Sequence, residues 1–93
     1  MDKQEARDLL EQFVERLRQK PYQELARLIR NPVSVEVSSA SGVSYQIEYE
    51  ALWDNEPGGL LRVMASIDDG RLLTAMFPIT ISFVIDSDGR LPE

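Results

Sequence analysis

Neither histidine nor cysteine occurs in the 93-residue chain. Their absence removes imidazole bases, thiol nucleophiles, Ser-His-Asp arrangements, zinc and iron–sulfur ligand sets, and disulfide frameworks. Positive charge is also scarce. Ten Lys and Arg stand against sixteen Asp and Glu, giving a net charge of −6 and a pI near 4.6. A nucleic-acid binder needs a basic surface to neutralise phosphates, so that class is excluded. No apolar run nears the ~20 residues of a membrane span. Met1-Asp2-Lys3-Gln4-Glu5 opens a charged helix rather than the basic stub and apolar core of a signal peptide. The expectation is a cytoplasmic, bacterial-type protein without cofactor, nucleic acid or membrane partner.

What is present is an ordinary globular composition, 43% hydrophobic and 28% charged. That is too apolar for a disordered chain and the right size for a single domain, residues 1–93. One change of character falls at Asn31-Pro32. Before it apolar residues follow a helical period; after it they alternate. Helices are expected over residues 2–30 and a sheet over 33–86. From Lys3 to about Gln19, Ala6, Leu9, Leu10, Phe13, Val14 and Leu17 form one apolar stripe. Asp2 and Glu5 are spaced as in a capping box, and Arg16, Arg18 and Lys20 gather where the helix dipole favours cations. Pro21 starts a second helix carrying Tyr22, Leu25, Leu28 and Ile29, predicted to end at Arg30, since a residue before proline leaves the α region.

Four strands are predicted, with every apolar position odd-numbered: Val33 to Val37, Val43 to Trp53, Leu61 to Ile67, and Leu73 to Ile85. Ala40-Ser41-Gly42 and Asp68-Asp69-Gly70 read as three-residue hairpin loops with glycine in the left-handed region. Both preserve parity, so all odd side chains share one face. They predict Val37–Tyr45 and Val35–Ile47 in one hairpin, and Ala65–Leu73 and Val63–Ala75 in the other. The predicted fold is α+β, with two N-terminal helices on one face of a four-stranded antiparallel meander. Pro78 suits an edge strand or bulge there. This element order is similar to that of cystatin-like and NTF2-like domains, a resemblance that implies helices lying in the concavity of a bent sheet.

Several clusters are candidates for function. Glu48 and Glu50, with Glu36 on the neighbouring strand, are grouped carboxylates of the kind that serve as acid and base or hold a divalent cation. A flat outer face supplies no cleft for either, so no catalytic residue and no metal is expected. Asp86-Ser87-Asp88-Gly89 begins like a calcium loop but lacks its later ligands and reads as a turn. Tyr45, Tyr49 and Trp53 form an aromatic row on the inner face. Facing Phe13, Leu17 and Tyr22, that row is either core or the lining of a ligand pocket.

The even positions of the last two strands include Leu60, Arg62, Met64, Leu72, Thr74, Met76 and Val84. With Met64 beside Thr74 and Arg62 beside Met76, they would form an exposed patch of the kind that meets partners. Ile79 to Ile85, including Ile81 and Phe83, would run past the end of the third strand as an uncharged edge. Such an edge is covered by a fold-back, a second copy or another protein. The leading expectation is a non-enzymatic binding module. It would use Glu48, Glu50, Arg62, Met64, Met76, Ile79, Ile81 and Phe83, form a homodimer through 79–85, and neutralise a basic partner such as a toxin or nuclease. A small-molecule protein built on the aromatic row is the alternative, and a carboxylate hydrolase the third reading.

Overall fold

The computed structural model describes residues 1–71 and 76–91. Helix α1 spans Lys3–Arg18. The Asp2 carboxylate accepts the Glu5 N–H at 3.0 Å, so the cap forms as expected. The reciprocal half of the capping box does not, because the Glu5 side chain is engaged elsewhere. Ala6, Leu10, Val14 and Leu17 are buried, while Leu9 and Phe13 flank them half-covered.

The second helix is shorter than its apolar spacing predicts. α2 is the single turn Tyr22–Ala26. Leu28 and Ile29 belong to the turns after it, and Arg30 stands at φ 61°. Two features stop the helix early. The Asn31 side-chain amide donates to the Arg27 and Ile29 carbonyls at 3.3 and 3.2 Å, and Ile29 bridges in parallel to Ala51 of the sheet. Tertiary pairing thus overrides the short helical period.

The sheet is an antiparallel meander ordered β1-β2-β3-β4, comprising Val33–Ser38, Ser44–Trp53, Leu61–Asp68 and Ile79–Ile85. The β1–β2 register is the predicted one, with Val37 opposite Tyr45 and Val35 opposite Ile47. Its turn places Gly42 at φ 85°. The Gly42 N–H donates to the Ser39 carbonyl at 3.0 Å, and the Ser39 N–H to the Val43 carbonyl at 2.9 Å.

The β3–β4 register differs from the expected hairpin. Ala65 faces Ile81 and Val63 faces Phe83, eight residues beyond the expected partners. Gly70 does take the left-handed conformation at φ 83°, but its turn opens a longer connection. The apolar run after Pro78 is the reason. The observed register puts Pro78 just ahead of the strand. It also pairs Ile79, Ile81, Phe83 and Ile85 with Ile67, Ala65, Val63 and Leu61. That covers more apolar surface than Leu73, Ala75 and Phe77 would offer. Residues 79–85 therefore fold back within the monomer along the whole of β3 rather than running past it. Leu73 and Ala75 lie outside the described residues. Phe77, expected to point inward, is 74% exposed.

A shift by an even number keeps parity, so the odd side chains of all four strands still share the inner face. Tyr45, Ile47, Ala51, Leu61, Val63, Ala65, Ile67, Phe83 and Ile85 join the buried α1 stripe and Leu25 in one core. α1 lies over β3 and β4.

Candidate functional site: the outer sheet face and the β4 margin

The even positions place Glu36, Gln46, Glu48, Glu50, Leu52, Arg62, Met64, Ser66, Asp68, Thr80, Ser82 and Val84 on the face away from the helices. Cross-strand pairing sets Glu36 opposite Gln46, Glu48 opposite Ser66, and Glu50 opposite Met64. Gln46 also lies opposite Asp68, so Glu36, Glu48, Glu50 and Asp68 cluster over β1 to β3. Arg62 is the cation of these strand positions, and Asp54 already holds it, with Nε and Nη2 donating to Oδ1 at 2.9 and 2.8 Å. Half-exposed Leu52 faces Arg62, and Arg62 faces Val84, which extends the arginine stem into a small apolar margin. Glu48, Glu50 and Met64 surround a depression of only about 120 Å³. No group of three acids is placed to hold a metal ion among the described residues.

The expected Met64/Met76 patch does not form. Met64 faces Ser82 and Arg62 faces Val84. Met76, 60% exposed, sits with Phe77 ahead of β4. Leu72 and Thr74 lie outside the described residues.

The margin where α1 overhangs β4 is a furrow. Near its start, a cleft of about 590 Å³ is lined by Met1, Lys3, Arg7, Phe77, Pro78, Ile79 and Thr80. Further along, a cleft of about 320 Å³ is lined by Glu11, Val14, Glu15, Arg18 and Ile81. Ile79 and Ile81 are half-covered, whereas Phe83 is buried beneath the Arg18 guanidinium, 5.5 Å from its ring centre. Lys3 and Arg7, one helical turn apart, form no ion pair among the described residues. The apolar period of α1 gives no hint of them, because they lie beside its stripe.

The aromatic row packs tightly. Phe13 meets Tyr49 at 5.1 Å between ring centres, and Tyr22 meets Trp53 at 6.4 Å. The Tyr22 hydroxyl donates to the Gly59 carbonyl at 2.7 Å, and Leu17 is buried. Tyr45 is 1% exposed and donates to Glu5 Oε1 at 2.8 Å. The Ser41 hydroxyl donates to the same carboxylate. These bonds, that from Tyr45 first, hold the Glu5 carboxyl below its ordinary pKa. Burial, reinforced by the Glu5 charge, pushes the Tyr45 phenol up to about 12. Sequence spacing missed this link because Glu5 and Tyr45 are 40 residues apart. Of the row and its facing residues, Tyr22 alone lines a described cleft, a shallow one beside Ser87 to Gly89.

No described helix is long and apolar enough to cross a membrane. Compared with protein-family models, curated proteins and solved structures, the chain matches none.

Proposed function

We propose that this chain is a non-catalytic protein-interaction module of the cytoplasm whose outer sheet face takes a basic protein surface. One observation carries the reading. Glu36, Glu48, Glu50 and Asp68 lie together on an uncovered face where the strand cation, Arg62, is already paired with Asp54. A partner supplying Lys or Arg gains charge-assisted contacts there, and Met64 and Leu52 add adaptable apolar area. The net charge of −6 steers such a partner and speeds encounter. In this reading the helix-on-sheet order, similar to cystatin-like and NTF2-like domains, is a scaffold for the exposed face.

The test is capture from a host lysate at low and high salt, read by mass spectrometry, with wild type beside the double reversal Glu48→Lys, Glu50→Lys. The expected result is a basic protein retained by wild type at low salt and lost in the reversal. Retention indifferent to the reversal sinks the proposal.

A further inference from the structure

We infer that the free margin of β1 takes an extended basic segment of another protein, added antiparallel beside Val33–Ser38 as a further strand. This rests on the reading of the chain as a module for basic partners and names the form in which one is held.

The ladder between β1 and β2 leaves half of the β1 backbone unused. The Ser39 N–H donates to the Val43 carbonyl at 2.9 Å, which makes Ser39 and Val43 a hydrogen-bonded pair. Such pairs alternate along an antiparallel ladder, so Val37 with Tyr45, Val35 with Ile47 and Val33 with Tyr49 carry the bonds. Ser34, Glu36 and Ser38 therefore direct N–H and C=O away from β2. No described group hydrogen-bonds to that backbone, and all three residues are exposed. The chain on either side of β1 is described without a break from Met1 to Arg71, and β4 lies at the opposite margin of the sheet.

The inner side of this margin is an apolar shelf. α1 lies over β3 and β4, where the odd side chains of β3 are buried. On β1, Val33, Val35 and Val37 are only half-covered. Leu9 and Phe13, also half-covered, lean to the same side. Phe13 meets Tyr49, the partner of Val33, and Leu9 lines a cleft of about 350 Å³ with Ser39 and Ala40. A strand added beside β1 covers the three valines with its own inner side chains.

Charge selects the occupant. Glu36 stands on the outer side of the margin, with Glu48 opposite Ser34, and exposed Asp2 and Asp8 line the cleft on the inner side. Arg16 and Arg30 stand toward the start of β1, and Arg16 is stacked over Phe13 at 5.7 Å. A segment alternating apolar and Lys or Arg side chains matches this pattern, with its apolar groups on the shelf and its cations beside Glu36 and Glu48. A second copy of this chain does not. In the registers that overlap two β1 strands most fully, the two Glu36 carboxylates stand directly or diagonally opposed.

The test follows amide hydrogen exchange of the full chain by NMR, with a synthetic peptide of alternating lysine and valine, about eight residues long, as the probe. The amides of Ser34, Glu36 and Ser38 are expected to exchange freely in the protein alone and about tenfold more slowly with the peptide at saturation. In an antiparallel pair the lysines opposite these residues supply the bonding N–H groups. The same peptide methylated at its lysine backbone nitrogens is therefore expected to bind at least tenfold more weakly at equal charge. Ser34→Pro removes an N–H that the monomer does not use. It is expected to weaken binding about tenfold with an unchanged far-UV spectrum, and the methylated peptide keeps the test on the wild-type chain should that variant unfold. No protection at these amides, or equal binding of the two peptides, overturns the inference. If such binding is lost in the double reversal Glu48→Lys, Glu50→Lys, the outer-face reading stands without it. Protection undiminished in that reversal refutes the outer-face reading and leaves the inference standing. Protection in the protein alone that grows with its concentration puts a second copy at the margin and overturns the inference as well.

Discussion

Tyr45 carries more of this fold than its place in an aromatic row suggests. Its hydroxyl ties the β1–β2 hairpin to the first turn of α1 through Glu5. Tyr45→Phe keeps the ring and removes the bond, so stability should fall by about 1–2 kcal/mol and Tm by about 5–10 °C, measured by thermal melts at neutral pH. The pH dependence has two limbs. Glu5 titrates below its ordinary value in the folded state. Its contribution is therefore present above the unfolded-state pKa and lost as pH falls through the folded one. The Tyr45 phenol is raised to about 12, so its contribution is complete below pH ~10 and disappears as pH climbs toward 12. Chemical denaturation across pH should show both limbs in wild type. The alkaline limb should vanish in Tyr45→Phe, and an unchanged alkaline limb contradicts the assignment.

At the level of elements, glycine geometry and side-chain parity carry unequal information. Gly42 at φ 85° closes the β1–β2 hairpin. Gly42→Ala forces a left-handed alanine there and should lower stability by ~1–2 kcal/mol in urea titrations. In α1, Leu10 is fully buried, so Leu10→Ala should cost about 2–5 kcal/mol by the same measurement. The β1–β2 hairpin is readable because its loop admits one parity-preserving length. The β3–β4 connection is not. Asp68-Asp69-Gly70 carries the same local signal, and the choice between a short hairpin and a longer path depends on apolar pairing farther down the chain. Parity survives the change of register, which is why Glu48, Glu50, Met64, Ile79 and Ile81 sit on the faces expected of them while Met76 and Phe77 do not. α2 falls short of its period because Asn31 and the Ile29 bridge act through contacts that spacing does not encode.

For the molecule as a whole, the two faces of the sheet have different duties. The inner one carries stability. On the outer one, the double reversal Glu48→Lys, Glu50→Lys should shift stability by no more than about 0.5 kcal/mol, since Glu48 is exposed and Glu50 half-exposed on the face away from the core. A large loss in differential scanning would mean that the acids are structural. The layering also fixes an order of assembly. α1 rests on β3 and β4, the strand farthest from it in sequence. During synthesis the apolar stripe of α1 leaves the ribosome long before residues 79–85 do. The nascent helix thus stays without its mate while the residues between them are made, and a chaperone that shields amphipathic helices has its window then.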